Sequence, residues 1–336
     1  MFKRLCALTL CIIALVSSVS VRAEPEVLYN AIITKVFATS LTNVYVAPDK
    51  DSKVLDSLKP GTRIQITEVL PNYVGILFGS KTAYVLRKRI DQAVPVNPAK
   101  TPPFGTAVNR FYVTIDQETP IKAAPNANAD TLITLQKGAM VGFLGVNDGW
   151  AYTIFKRQYG YIDTRLLKEL KPVAPTIDYP DSEMPIAVYN SFYKVTQDEY
   201  NLNRITNLKV GCQRMSITMQ PGQTMDFNNN VGPFTRANGY LEAGALSDGE
   251  WTLASGGGSC QISSTLYNVV LQLPGLTVLR RAPHGPNGAS YLPHGVDASS
   301  GSLNFVFRND YSFPITIRTH VQDGSLFIAI YRGSRA

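Results

Sequence analysis

"VYVAPDKDSKVLDSLKPGTRIQI" spans residues 44–66, and its pattern returns further along the chain. Residues 120–143 read "PIKAAPNANADTLITLQKGAMVGF" and align with it without a gap at an offset of 77. Pro48 meets Pro125, Leu55 meets Leu132, Leu58 meets Leu135 and Gly61 meets Gly138. The register persists to Tyr73 against Trp150, and to Tyr84-Val85 against Tyr161-Ile162. Identity held at one offset over this distance marks two copies of one unit. Each copy alternates short β-prone runs with Pro, Gly, Asn and Asp turns and carries no helical period. That is the sequence form of a small all-β barrel of about 60 residues.

Upstream of the first copy, "MFKRLCALTLCIIALVSSVSVRA" has Lys3 and Arg4, then an apolar run, then small residues ending at Ala23. It reads as a secretory signal peptide over residues 1–23. No later stretch approaches the ~18 to 20 apolar residues of a membrane span, so an exported protein without a membrane span is expected. Loss of Lys3, Arg4 and Arg22 with the signal takes the formal charge from +7 to +4, too weak a basic bias for nucleic-acid binding. Cys6 and Cys11 leave too, so Cys212 and Cys260 are the mature cysteines, and a disulfide between them is one expectation in an oxidising compartment. With three histidines at these spacings they build no cysteine-rich metal site, and no cofactor is implied.

Downstream, residues 170–185 hold four prolines and several acids, and read as a linker without regular structure, with a domain break near Asp178. From residue 186 the texture changes. Leu202, Ile205, Leu208 and Val210 have helical spacing behind a Thr or Asp start signal, with Cys212 near the end. "CQISSTLYNVVLQL" reads as a buried helix stopped by Pro274-Gly275, and the remainder as strand and turn with a hairpin tip at Gln322-Asp323-Gly324. The segment 186–336 is thus expected to be α+β.

The order Ala-Pro, Leu, Gly, aromatic, Tyr-Val/Ile in the two repeats resembles bacterial Src-homology-3-like domains over 28–92 and 105–169. Such domains commonly bind cell-wall peptides or glycans; the plainer expectation is that they are spacers. In the third segment, "PGQTMDFNNNVGPFTRANGYLEA", "GGGSCQISSTLYN", "HGPNGASYLPHGVDA" and "NFVFRND" before "FPI" together resemble the VanW family. That resemblance implies an exported bacterial protein carrying a domain linked to glycopeptide-resistance clusters, often beside wall-binding modules. It names no reaction. The expected architecture is multidomain: two small all-β Src-homology-3-like barrels and a C-terminal α+β VanW-like domain.

Candidate chemistry centres on Cys260. Gly256, Gly257 and Gly258 let the backbone turn sharply, and a thiol in the first helical turn sits where the dipole favours an anion. His284 is the better base, since His294 departs from the family pattern, and Asp297 could orient it. Cys260 as nucleophile, as a half-cystine or as an inert buried thiol all stay open. Glu242, in apolar "GYLEAGAL", suits a general acid for glycan cleavage, with Asp297 or Asp226 as second carboxylate. Gln261, Ser264, Tyr267 and Tyr291 are candidate substrate contacts, and Arg280-Arg281 could pair with a substrate carboxylate. Peptidoglycan is the expected partner. Glycan cleavage of the lytic transglycosylase kind is slightly favoured; a non-catalytic wall-binding scaffold and a cysteine-dependent peptide hydrolase or transpeptidase are the alternatives.

Overall fold

A computed structural model describes residues 25–333 except 38, 175, 178–182 and 248–249. The expected signal peptide and the expected break near Asp178 lie outside the described residues. Among the described residues the fold is mostly β, with an N-terminal region of strands and two short 3-10 turns and with α-helices confined to the C-terminal domain.

Residues 29–95 form one seven-stranded antiparallel sheet that curls around Ile33, Val44, Ile66, Val74, Ile76 and Val85. The sequence repeat is written into the next unit strand by strand. Thr42–Tyr45, Val54–Leu58 and Lys81–Leu86 have counterparts 77 residues on at Thr119–Lys122, Thr131–Leu135 and Gln158–Asp163. Partners recur as well: Tyr73 with Leu86 and Phe78 with Lys81 become Trp150 with Asp163 and Phe155 with Gln158. The opening strand is out of step, because Gly61 N donates to Ile33 O while Gly138 N donates to Ile115 O. The second unit also divides its strands between a five-stranded and a three-stranded sheet.

Residues 170–185 do more than link. Lys171–Pro172 pairs with Tyr112 and Phe111 at a sheet edge, and Val173 is buried. Proline is tolerated there because an edge position needs no ladder donor from it.

In the third unit the strands run in the order Pro185–Phe192, Ser325–Arg332, Ile315–Gln322 and Thr218–Met219. Helices α1 (Glu199–Met215) and α3 (Ser259–Val270) cover one face, burying Leu208, Met215, Ile262 and Leu266 against Ile317, Leu326 and Ile328. Between them in sequence, α2 (Phe227–Val231) adds Phe227 and Val231 to the same core. The Asp198 carboxylate accepts from Asn201 N at 2.9 Å and so caps α1. The opposite face carries Val188, Phe327, Ala329 and Tyr331 and is covered by Tyr112 and Val173. Both faces being covered, Pro185–Phe192 is buried at every position rather than alternately. Hydrogen bonds pin the second β unit to this sheet: Gly142 N donates to Asn190 Oδ1 at 2.8 Å and Ser325 Oγ to Met140 O at 2.6 Å. Among the described residues no helix is long and apolar enough to cross a membrane.

Candidate functional site

The hairpin of Glu242–Ser247 and Glu250–Ser255 delivers the chain into the three glycines. A Cβ on Gly257 would lie 2.5 Å from Ala243 O, so no side chain fits where the loop crosses that strand. Gly258 caps α3 at φ 109°, a left-handed conformation that glycine adopts freely. Asn207 of α1 fastens the loop, its Nδ2 donating to Gly257 O and to Leu241 O at 2.9 Å each. Gln261 fastens the helix: Nε2 donates to Ser191 Oγ at 3.0 Å and to Phe192 O at 3.1 Å. With its first turn held on two sides, α3 presents Cys260, half-buried, to a cleft of about 240 Å³.

The segment 297–300 runs alongside α3. Ser264 Oγ donates to Ala298 O at 3.0 Å and accepts from Ala298 N at 2.9 Å, which fixes Asp297 and Ser300 beside the helix start. Ser300 N donates to Cys260 Sγ at 3.4 Å. His284 Nδ1 lies 2.7 Å from Asp297 Oδ2, leaving Nε2 as the ring nitrogen available to the thiol, and both side chains line the same cleft. Arg281 completes the support, its Nε donating to Asp297 O at 2.7 Å and its Nη2 lying 3.4 Å from Asp297 Oδ1.

Electrostatics follow from this arrangement. Burial pushes the Cys260 thiol up, but the hydrogen bond and charge of His284 together with the Ser300 contacts outweigh it and hold the thiol below its ordinary value. Burial likewise opposes charge on His284, yet its bonds to Asp297 and Cys260 raise it to about 9. Desolvation pushes Asp297 up, and its two bonds from His284 more than reverse this, keeping it ionised. The combination favours the thiolate–imidazolium pair over the neutral thiol and imidazole.

Other expected residues fall elsewhere. Cys212 is buried in α1, burial drives its thiol pKa up, and both cysteines are free, so the expected bridge is absent. Glu242 stands exposed on its strand and does not line the cleft, so the apolar setting expected of it is missing. Asp226 caps α2 and accepts from Asn304 Nδ2 at 2.9 Å, and is committed to structure rather than paired with Glu242. Gln261 and Ser264 are buried with their polar groups engaged by protein, which makes them supports rather than surface contacts. Tyr291 lines the cleft, whereas Tyr267 stacks under Arg281 at 5.2 Å and borders a second hollow of about 520 Å³ shared with the first β unit. His294 donates from Nε2 to Pro286 O, and burial lowers its pKa, so it braces the loop as a neutral ring. Sequence reasoning missed Ser300, which lies three residues beyond Asp297 in "DASS", and Arg204, which no motif marks. Among the described residues no group of three or more His, Cys, Asp or Glu side chains has a metal-holding arrangement.

Residues 203–331 match the family described as "VanW like protein", and residues 39–91 match "Bacterial SH3 domain". "Uncharacterized protein YoaR" of Bacillus subtilis is 42% identical over 134 residues, covering 39% of this chain and 44% of that protein. "Vancomycin B-type resistance protein VanW" of Enterococcus faecalis is 32% identical over 145 residues, covering 40% of this chain and 51% of that protein. The chain thus spans about half the length of the curated relatives it matches. Among solved structures, NlpC2 from Trichomonas vaginalis is similar at a TM-score of 0.19 and 12% identity over 57% of this chain and 58% of its own, a likeness too slight to bear on fold or function.

Proposed function

For a chain whose residues 203–331 form a VanW-family domain behind a bacterial SH3 domain, we propose cysteine-dependent acyl transfer on the peptide stems of the bacterial cell wall. The observation that carries it is the convergence of Cys260, His284 and Asp297 at the N-terminus of α3 on an open cleft. The thiolate attacks a peptide carbonyl, the C–S bond forms and the C–N bond breaks, and the His284 imidazolium gives its Nε2 proton to the departing amine. Water or a second amine then attacks the thioester, His284 takes its proton, and Cys260 leaves as thiolate with the imidazolium restored. Water makes the protein a hydrolase and an amine makes it a transpeptidase. The family relatives and the SH3 domain support a wall-associated protein, in which the β units act as wall-binding tethers that raise local substrate concentration. A second Src-homology-3-like barrel over 105–169 belongs to the same reading, and the strand-for-strand repeat supports it.

Glycan cleavage loses its chief support with the exposure of Glu242. The test is mass spectrometry of muropeptides after sacculi are incubated with wild-type protein and with Cys260→Ala. Altered peptide stems that disappear in the variant are expected. Anhydro-sugar ends produced equally by both proteins would overturn the thiol reading, and unchanged sacculi that still retain the protein would replace it with a scaffold.

A further inference from the structure

Arg204 of α1 lines the same cleft as Cys260. Its aliphatic stem passes over Gly258, where a Cβ would come within 3.2 Å of its Cγ. Its Nη2 donates to Gln261 Oε1 at 2.8 Å, one residue beyond the thiol, and its Nη1 reaches Gly244 O at 3.4 Å. Both partners are neutral. Among the described residues no carboxylate pairs with this guanidinium, and neither aspartate nor glutamate lines the cleft. Asp297, the nearest acid in the machinery, is already shared by His284 and Arg281. The thiolate and imidazolium cancel one another, so Arg204 leaves the cleft with a net positive charge. A guanidinium partly drawn out of water with no carboxylate partner is costly unless something else supplies the anion. Its planar fork matches a carboxylate, and the donors that Gln261 and Gly244 leave free can bind one.

We infer that Arg204 is the specificity-determining residue of this site and holds a free carboxylate on the acyl donor, close to the carbonyl that Cys260 attacks. The substrate class is therefore a peptide with an ionised carboxyl group adjoining the reacting residue, and its amidated analogue is a poor donor. This rests on the reading of Cys260 as nucleophile, so the test must separate the two.

Two alkylating agents of one size do so. Iodoacetate carries a carboxylate beside the reactive carbon and iodoacetamide a neutral amide; in both cases the thiolate forms a C–S bond and iodide departs. Whole-protein mass spectrometry gives the rate of Cys260 modification by each in the wild type, in Arg204→Gln and in Arg204→Lys. The expected result is a preference for iodoacetate in the wild type that falls roughly tenfold in Arg204→Gln, the size of one charge-assisted hydrogen bond, with the iodoacetamide rate little changed. Arg204→Lys, which keeps the charge and loses the fork, should retain part of the preference. An unchanged iodoacetamide rate also shows that the variant is folded. Equal slowing of both reagents would overturn the proposal, since Arg204 would then serve only to stabilise the thiolate. A fast wild-type reaction with iodoacetamide and no preference for iodoacetate would overturn it too while sparing the nucleophile. Iodoacetamide reacting no faster than with a free thiol would remove the nucleophile reading and this inference together.

Discussion

Asp297 meets His284 twice: its Oδ2 lies 2.7 Å from Nδ1 of the ring and 2.7 Å from the backbone nitrogen of the same residue. One oxygen therefore sets both the path of the chain into residue 284 and the tautomer of its ring. Asp297→Asn keeps the shape but removes the charge that favours imidazolium. Acyl transfer should fall by roughly 10³-fold while the fold survives, as single-turnover assays and circular dichroism would show. Wild-type turnover in this variant would strip the aspartate of its orienting role.

The two cysteines should separate in their chemistry. Cys260 is half-buried with a depressed pKa, and Cys212 is buried with a raised one. Native protein treated with iodoacetamide at about pH 6 should carry the label on Cys260 alone, with Cys212 labelled only after denaturation. The thiolate appears as pH rises through the lowered Cys260 pKa, and the imidazolium is lost as pH passes about 9. Acyl transfer, which needs both, should decline above that point, whereas alkylation, which needs only the thiolate, should not. Parallel decline of the two profiles would contradict the assignment of His284 as proton donor.

Gly257→Ala sets a methyl group against the carbonyl of Ala243, and the obstacle is backbone in a paired strand, which cannot step aside. The expected cost is ~1–3 kcal/mol, read as a lower thermal midpoint. Displacement of the α3 N-terminus should also return the thiol toward ordinary reactivity. An unshifted midpoint would mean that the loop has room it does not show.

Glu242→Gln should change nothing of consequence. The side chain is exposed, and only its backbone oxygen is used, accepting from Asn203 Nδ2 at 3.0 Å. Stability should stay within about 0.5 kcal/mol and the muropeptide pattern should match wild type. Loss of activity in this variant would restore a glycan-cleaving acid.

The β units are legible in the sequence almost to the residue pair, because a strand repeat carries its register with it. The hairpin of Tyr73 and Leu86 could be transferred to Trp150 and Asp163 by counting alone. Helices α1 and α3 are legible for a related reason, since apolar spacing and the Asp198 cap are local signals. Glu242 misleads because its neighbours in sequence are apolar while strand alternation sends Ala243 inward and Glu242 out. Arg204 is illegible: a lone arginine on a helix reads as a solvated face, and only tertiary folding carries it to a thiol 56 residues away. Ser300 contributes a backbone N–H, a group that every residue but proline possesses and that composition cannot single out.

Strand Pro185–Phe192 finds its ladder partner only in Ser325–Arg332, so at least 133 residues, from Phe192 to Ser325, must be made before the sheet can close. Gln261 anchors α3 to Ser191 and Phe192 of that same late-pairing strand. Such long-range pairing is slow to nucleate. Time is therefore built into the site. Until the strand of Ser325–Arg332 arrives, Pro185–Phe192 has no ladder partner, and the bonds from Gln261 to Ser191 and Phe192 have no fixed strand on which to hold the start of α3. On the reading of Cys260 as nucleophile, the thiol gains its fixed setting at the close of folding, with the last strand rather than with the helix that carries it.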